Sequence, residues 1–352
     1  MNRINAVVLG ATGYVGGEFL RLIHAHPVFR LSAAVSGSRK GERIGTVFPH
    51  LAAAYPQEVF SDGNTWAQKV DGGTNLALFS AAPHGASAES VAGALDAADQ
   101  RKLQVRVVDT SADFRFSDTA DFETIYGSRH PKPQLLEEFF CAVPEHEART
   151  PARHVGHPGC FATAIALASV PLAKAGVADN TLYVTGTTGS TGSGKSPQEG
   201  THHPERHSNL YAYKPLRHRH APEVEALIER ATSRRLAVNF VPQSGPFARG
   251  IYVIVQARLD AAAHIDDIRG LFNKEYAKCE FVRIVDEVPR LKDVVAINYA
   301  HIGVTVTGSN VVVMCAIDNL VKGAAGGAIQ WMNRLWSLPE SSGLQASSPA
   351  WT

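Results

Sequence analysis

A short apolar run, a glycine-rich turn and an amphipathic helical pattern follow one another near the start of the chain. This order constrains the fold more than any other feature. The apolar run covers residues 6–9, the turn carries Gly10, Gly13 and Gly16, and the helical pattern extends to Ile23. Glycines in such a turn allow close approach of the backbone to a pyrophosphate and close packing of a helix on a strand. The stretch therefore predicts a doubly wound α/β domain that binds a dinucleotide.

The overall composition excludes several classes of function. The 352 residues suffice for two domains, and 34 basic against 33 acidic side chains leave a formal net charge of +1. This balance does not favour binding to nucleic acid or to a membrane surface, and no apolar run has the length of a membrane-spanning helix. The chain enters its first strand without a signal peptide, and its four cysteines show no paired spacing. We therefore expect a reduced, cytoplasmic protein.

The residues after the second apolar run indicate which dinucleotide is bound. In NAD-binding domains a carboxylate about 20 residues beyond the glycine turn holds the ribose hydroxyls. Here residues 31–35 are followed by Ser36, Ser38, Arg39 and Lys40, with no acid among them. Hydroxyls followed by cations suit the 2′-phosphate of NADP, which is the predicted cofactor. The alternative is a basic turn that contacts only solvent.

Two further apolar runs end in loops that are suited to ligand binding. Residues 75–80 are followed by Pro83, and residues 105–109 by Arg115, with a helical stretch at 86–100 between the runs. The carboxyl ends of parallel strands are where cofactors lie in open α/β sheets. An arginine there can grip a phosphate or carboxylate through two parallel hydrogen bonds. The alternative for Arg115 is a surface ion pair with a nearby aspartate, which contributes little to stability.

Cys160 follows a turn signal, Pro158 and Gly159, and precedes an alanine-rich apolar segment at residues 162–173. The segment predicts a buried helix with Cys160 in its first turn. Unpaired backbone N–H groups and the positive end of the helix dipole favour a thiolate at this position, and a thiolate is a nucleophile at neutral pH. The alternative is an inert cysteine in the core.

From about residue 155 the sequence becomes rich in strands. A second sheet is predicted from apolar runs at residues 181–186, 237–241, 250–257 and 311–316. Residues 316–333 then predict a turn into a closing helix, and the Ser- and Pro-containing residues 339–352 predict a loose tail.

Histidines are concentrated between residues 202 and 220. They are His202, His203, His207, His218 and His220. No acid or cysteine completes a compact ligand set and the spacing fits no zinc pattern, so no metal site is predicted. If residues 217–220 are extended, His218 and His220 share one face. Either imidazole could then donate and accept the proton that a catalytic thiolate needs.

Several segments occur along the chain in an order that is specific as a set. They are Gly10-Ala-Thr-Gly-Tyr-Val-Gly16, Ser111-Ala-Asp-Phe-Arg115, Gly159-Cys160, His218-Arg-His220 with Pro222-Glu223, Arg249-Gly250 and Ala316-Ile-Asp-Asn-Leu-Val-Lys-Gly323. Together they resemble the N-acetyl-γ-glutamyl-phosphate reductases of the aspartate-semialdehyde dehydrogenase superfamily, over nearly the whole chain. The resemblance implies an N-terminal Rossmann-like NADP domain (residues 1–157 and 319–352). It also implies an α+β catalytic and dimerisation domain with a mixed sheet (residues 158–318), in a homodimer or homotetramer.

The resemblance also implies an activity and roles for individual residues. The reaction would be NADPH-dependent reduction of N-acetyl-γ-glutamyl phosphate to N-acetylglutamate 5-semialdehyde in arginine biosynthesis. Cys160 resembles the nucleophile, and His218, or alternatively His220, the acid/base. Positions that resemble substrate contacts are Arg115, Glu223 and Arg249. Positions that resemble cofactor contacts are Gly10, Thr12, Gly13, Tyr14, Val15, Gly16, Ser36, Ser38, Arg39, Pro83 and Asn319.

Two departures from the family pattern leave the substrate open. Many acetylglutamate reductases read Asn-Pro-Gly-Cys-Tyr-Pro-Thr around the cysteine, whereas residues 157–163 read His-Pro-Gly-Cys-Phe-Ala-Thr. Residues 196–206 and 213–215 are similar to the branch that reduces a carrier-protein-linked aminoadipyl phosphate in lysine synthesis. A carrier-linked substrate is therefore one alternative. A non-catalytic NADP-binding sensor with an unreactive Cys160 is another.

Overall fold

The computed structural model describes residues 3–149 and 151–349, and these form two compact units. The first unit comprises the described parts of 1–141, 149–157 and 324–345, and the second those of 142–148, 158–323 and 346–352. The domain bounds implied by the family resemblance put residues 142–148, 319–323 and 346–349 in the first unit, whereas here they group with the second.

A parallel sheet forms the centre of the first unit. Its strands are β1 (Ile4–Leu9), β2 (Phe29–Ala34), β3 (Asn75–Ser80), β4 (Gln104–Asp109), β5 (Phe139–Phe140) and β6 (His154–Gly156), in the order β2-β1-β3-β4-β6-β5. The helices up to residue 141 are α1 (Tyr14–Ala25), α2 (Ile44–Val47), α3 (Ser87–Gln100) and α4 (Thr119–Tyr126). All strand pairs are parallel, with crossover helices between sequential strands. The predicted doubly wound domain is confirmed.

Buried carboxylates tie together the loops that follow β3 and β4. Asp113 accepts hydrogen bonds from the backbone N–H groups of Gly85 (2.7 Å) and Ala88 (3.0 Å), at the start of α3. Asp109 accepts from the hydroxyls of Ser87 and Ser111, each at 2.5 Å. Burial raises the pKa of Asp109 to about 6, against the lowering effect of these hydrogen bonds. The two loops are therefore held as one body at the carboxyl edge of the sheet.

The second unit contains a mixed sheet. Its strands are β7 (Thr181–Thr188), β8 (Tyr211–Ala212), β9 (Ala237–Ser244), β10 (Ile251–Arg258), β11 (Val282–Ile284), β12 (Ala300–Thr307) and β13 (Asn310–Ile317), in the order β11-β12-β13-β10-β7-β9-β8. Its helices are α5 (Cys160–Ala175), α6 (His203–Arg206), α7 (His220–Thr232) and α8 (Ile265–Tyr276). The pairs β7–β9 and β11–β12 are parallel and the other pairs are antiparallel. The predicted mixed sheet is confirmed, but α7, α8 and β12 were not anticipated.

Helix α5 forms the core of this unit and packs against α7, α8, β10 and β13. It continues through Pro171, whose nitrogen carries no hydrogen, so the carbonyl of Leu167 one turn earlier loses its helical partner. The Tyr276 hydroxyl of α8 donates to this carbonyl at 2.7 Å. A side chain from another helix thus satisfies the carbonyl that the proline leaves unpaired.

The final helix, α9 (Gly326–Leu335), belongs to the first unit, where it packs on β4 and α1. The prediction of a loose tail from residue 339 is wrong for its first part. The Asn333 amide donates to the carbonyls of Glu340 (3.0 Å) and Ser342 (2.9 Å), and Leu344 is only 2% exposed. These contacts order a segment whose composition alone suggests flexibility. Residues 350–352 lie outside the described part of the chain.

No helix within residues 3–149 and 151–349 combines the length and the hydropathy that crossing a membrane would require.

Candidate active site

The glycine turn of the first unit has the conformation that its sequence predicts. Gly10 has a φ of +65°, and a Cβ there would lie 2.6 Å from backbone atoms of Ala81. A Cβ on Gly16 would lie 2.5 Å from the backbone of Ala11. Gly13 is the residue before α1, and Tyr14 is its first. The turn therefore leads directly into a helix N-terminus, which is a binding site for a pyrophosphate.

The carboxyl ends of β2, β1 and β3 lie side by side, and the predicted cofactor residues occupy all three. Thr12 and Ser36 approach each other with 3.4 Å between their hydroxyl oxygens, and the Ser36 oxygen accepts from the backbone N–H of Arg39. Ser38 and Pro83 are exposed. The Arg39 guanidinium contacts the Glu42 carboxylate at 3.2 Å and is largely exposed. The residues therefore fit a dinucleotide, with hydroxyls and a cation where a 2′-phosphate would be held.

Arg115 is buried. Its Nε donates to the carbonyl of His157 at 3.1 Å, and its Nη2 donates to the carbonyl of Thr110 at 3.0 Å. The side chain is 8% exposed. These two hydrogen bonds hold the guanidinium beside the loop after β4.

Cys160 is the first residue of α5 and is partly exposed. Gly159 precedes the helix in an extended conformation, and its carbonyl accepts the first helical hydrogen bond from Thr163 at 2.8 Å. The predicted position of the cysteine at a helix start is confirmed. Unpaired N–H groups of the first turn and the helix dipole both favour a negative charge on the sulfur.

The two candidate imidazoles lie beside the residue that follows Cys160. The ring of Phe161 is 6.1 Å from that of His218 and 6.0 Å from that of His220, and the imidazoles are 4.7 Å apart. They do not share one face of a strand, because Arg219 is in a turn and α7 begins at His220, with Pro222 in its first turn. The turn, rather than an extended segment, brings the rings together.

His218 and His220 differ in their surroundings. His220 is 7% exposed, whereas His218 is partly exposed. Burial, followed by the charges of Arg219 and Lys214, lowers the pKa of His218 to about 4. The backbone N–H of His220 donates to Nδ1 of His218 at 3.3 Å, so the neutral ring carries its hydrogen on Nε2. His218 therefore presents an Nε2–H donor at neutral pH.

Glu223 connects the starts of α5 and α7. It is 1% exposed, and its Oε1 accepts from the backbone N–H of Gly159 at 2.5 Å. Its other oxygen is 3.9 Å from Nε2 of His220. The carboxylate thus fixes the backbone immediately before Cys160 relative to the segment that carries both imidazoles.

The predicted contacts Arg249 and Asn319 have protein partners. The Arg249 guanidinium binds the buried Asp318 carboxylate, with Nε at 2.6 Å, and its side chain is 23% exposed. Asn319 accepts from the backbone N–H of Gly250 at 2.7 Å and donates to the Thr191 hydroxyl at 3.0 Å. The aspartate and asparagine side chains together hold the loop at Arg249 and Gly250 in place.

One aromatic residue near the cysteine was missed. The ring of Tyr213 lies 5.6 Å from that of His218. Burial and then the charge on Cys160 raise the pKa of its hydroxyl. Sequence spacing gives no signal for it, because the chain turns between Tyr213 and His218. Within the described part of the chain, no cluster of three or more His, Cys, Asp or Glu side chains could hold a metal ion.

Comparison with known proteins identifies the family. The family model described as "Semialdehyde dehydrogenase, NAD binding domain" matches residues 5–154, and "Semialdehyde dehydrogenase, dimerisation domain" matches residues 160–319. An N-acetyl-gamma-glutamyl-phosphate reductase of Symbiobacterium thermophilum is 36% identical over 99% of both chains. Another of Rhodospirillum rubrum is 35% identical over 97% of both chains. The chain belongs to the N-acetyl-γ-glutamyl-phosphate reductase family.

Solved structures agree with the fold of this reductase family member. Aspartate semialdehyde dehydrogenase II from Vibrio cholerae superposes with a TM-score of 0.70 at 16% identity, covering 96% of this chain and 99% of the other. An aspartate semialdehyde dehydrogenase with NADP from Candida albicans gives 0.66 at 14% identity, with coverage of 96% and 99%. At these identities the likeness concerns the fold. The family predicted from the ordered motifs of the sequence is confirmed.

Proposed function

We propose that this chain catalyses NADPH-dependent reduction of N-acetyl-γ-glutamyl phosphate to N-acetylglutamate 5-semialdehyde, with release of phosphate, in arginine biosynthesis. One observation carries the proposal: Cys160 begins a buried helix beside two imidazoles in a chain whose whole length matches reductases of this name. An acyl phosphate is an activated acid derivative that a thiolate attacks readily, so the cysteine and the substrate are chemically matched.

The names of the relatives favour the acetylated substrate over a carrier-linked one. Relatives from Symbiobacterium, Rhodospirillum and Methanopyrus are all named N-acetyl-gamma-glutamyl-phosphate reductase, at 35–36% identity over at least 96% of this chain. The segment that resembles the carrier-linked branch contains α6 and exposed histidines. Nothing in its conformation by itself favours a protein-bound substrate.

In the proposed mechanism Cys160 thiolate attacks the acyl carbon. The carbon–sulfur bond forms, the carbon–oxygen bond to phosphate breaks, and a thioester remains on the sulfur. NADPH supplies a hydride to that carbon when bound. His218 relays a proton from solvent to the oxygen of the resulting thiohemiacetal and takes it back as the carbon–sulfur bond breaks. The aldehyde leaves, the thiolate is restored, and the released phosphate takes up the proton consumed overall.

The other predicted residues have proposed supporting roles. Arg115 and Arg249 donate hydrogen bonds to substrate anions, with the Arg249 guanidinium held in place by the Asp318 carboxylate. Glu223 holds Gly159 and thereby orients the cysteine. The glycine turn, Tyr14, Val15, Ser36 and Arg39 hold NADP, and the loop with Pro83 borders it. Asn319 contributes by fixing the loop at Gly250. We propose the first unit as the NADP domain and a homo-oligomer formed through the second unit, whose matching family model is a dimerisation domain.

The reverse reaction provides the direct test. N-Acetylglutamate 5-semialdehyde, inorganic phosphate and NADP are mixed with the protein and formation of NADPH is followed by absorbance. We expect NADPH only when all three are present, and none when chloride replaces phosphate at equal ionic strength. Oxidation of a carrier-linked aminoadipate semialdehyde in its place would support the alternative substrate. NADP binding without turnover, together with slow alkylation of Cys160 at about pH 6, would support the sensor.

Replacing Arg39 with alanine tests the cofactor assignment. A guanidinium bonded to the 2′-phosphate contributes to binding of NADP but not of NAD, so we expect the KM for NADP to rise about tenfold while that for NAD stays constant. Steady-state kinetics with each cofactor measure the difference. Arg30→Ala, an exposed arginine on β2, is the matched control and should alter neither KM. Equal changes for both cofactors would contradict a 2′-phosphate contact.

A further inference from the structure

A helical turn of unusual geometry begins near the end of the second unit, and Gly323 in this turn packs against Cys160 of the same unit. Residues Val321–Ala325 form a π-helical turn, a conformation that is rare and often found at functional sites. A Cβ on Gly323 would lie 2.6 Å from the Cβ of Cys160 and 3.0 Å from its Cα. No side chain fits at position 323, so the backbone of the turn packs closely on Cys160.

The neighbouring side chain anchors the turn in the protein interior. Lys322 and Glu145 have 0% and 1% of their side chains exposed, and Nζ lies 2.5 Å from Oε1. The ammonium is also 5.7 Å from the centre of the Phe281 ring. Desolvation of two charges offsets most of their attraction, so a buried pair of this kind contributes little net stability. The pair does impose a single geometry on the two side chains, because moving either one away would leave a buried charge without its counterion.

His146, which follows Glu145, connects this pair to α5 through Tyr276. Nε2 of His146 is 2.8 Å from the Tyr276 hydroxyl, which donates to the carbonyl of Leu167. Burial lowers the pKa of His146 to about 4, so the ring is neutral. Since the tyrosine hydrogen is used on the carbonyl, the imidazole must donate from Nε2. Lys322 and Glu145 thus hold the start of α5 in place through Gly323. His146 and Tyr276 hold the middle of the helix, at the carbonyl of Leu167.

We propose that Glu145, His146, Tyr276 and Lys322 form a buried network that positions Cys160 for attack. All four reach Cys160 through Gly323 or through helix α5, so they are positioning residues. The network fixes the cysteine from two directions, at its Cα through the π-helical turn and along the helix through the carbonyl of Leu167. The inference rests on the proposed function only in taking Cys160 as the nucleophile.

The decisive variant removes both charges of the pair. Lys322→Met or Glu145→Gln alone leaves one buried charge uncompensated and can prevent folding, whereas the double variant Lys322→Met/Glu145→Gln keeps the volume and removes both charges. Iodoacetamide labelling of Cys160 at about pH 6, resolved by mass spectrometry, is measured with kcat and KM. We expect labelling and kcat to fall about 10–100-fold, with an unchanged KM for NADP and a cooperative unfolding transition.

A second variant keeps the proposal falsifiable if the double variant does not fold. Gly323→Ala places a methyl group against Cys160 and should reduce labelling and kcat together. Gly270→Ala is the matched control, since a Cβ there meets nothing within 4 Å in α8, and it should label and turn over as the wild type does.

The outcomes separate this proposal from the proposed function. Wild-type labelling and kcat in a folded double variant would overturn the positioning role, as would wild-type values for Gly323→Ala. A wild-type protein whose Cys160 labels rapidly without turning over the acetylated substrate would count against the proposed function. The labelling comparison would still decide the positioning role.

Discussion

Replacing Cys160 with serine is expected to lower kcat by at least about 10⁴-fold, the scale of loss when a covalent nucleophile is removed. A serine hydroxyl at the start of α5 keeps the volume of the thiol but remains protonated at neutral pH. It cannot form the acyl-enzyme at a useful rate. Steady-state measurement of the reverse reaction at saturating phosphate gives the ratio of kcat values. Binding of NADP, measured by fluorescence titration, should stay at the wild-type level, because the glycine turn lies in the other unit.

The matched control for this substitution is Cys141→Ala, a buried cysteine of the first unit outside the proposed catalytic groups. It should retain kcat. A Cys160→Ser protein with more than a small fraction of wild-type turnover would remove the cysteine from the mechanism. The thioester route would then have to be abandoned.

Replacing His218 with asparagine is expected to lower kcat by about 10²–10⁴-fold, the usual contribution of general acid–base catalysis. Asparagine can still accept the hydrogen bond that the backbone N–H of His220 donates, but it cannot carry a proton to the thiohemiacetal oxygen. The loss should appear in kcat rather than in the KM for NADP. Single-turnover experiments should show that phosphate release is affected less than aldehyde formation, because the acyl phosphate is already activated.

His220→Asn is the paired measurement. His220 is more deeply buried and lies near Glu223, so we expect a smaller loss that reflects the geometry of Gly159. If His220→Asn loses more activity than His218→Asn, the acid/base role belongs to His220. Unchanged kcat in both variants would exclude an imidazole from proton transfer.

The parts of the protein that local sequence determines were predictable. The turn at Gly10 requires a positive φ and close backbone packing, and only glycine permits both. Pro158 and Gly159 mark the start of α5, so Cys160 could be placed at a helix N-terminus. Strand and helix patterns of the first unit extend over several residues each, and they appear in the structure with ends shifted by only a few positions.

The features that the sequence did not predict depend on residues far apart in the chain. Lys322 and Glu145 are 177 positions apart, and Arg249 and Asp318 are 69 apart. No local pattern indicates which charged side chains meet after folding. Arg249 and Glu223 were therefore predicted as ligand contacts, and their protein partners were not predicted. The turn at His218 was missed because Pro222 was not recognised as a first-turn helix residue. Helices α7 and α8 were also missed, although each buries an apolar face, Val224, Leu227 and Ile228 in α7 and Ile268, Phe272 and Tyr276 in α8.

The return of residues 324–345 to the first unit has a consequence for biosynthesis. Helix α9 covers β4 and α1, so the unit that contains the glycine turn is incomplete until those residues have left the ribosome. The second unit, by contrast, has nearly all of its strands and helices in the stretch translated before them. Domains translated earlier generally fold first, but the first unit here lacks its last helix until α9 has been made. Ribosome-bound chains stalled before residue 324 would bear a nascent cofactor domain with one face uncovered.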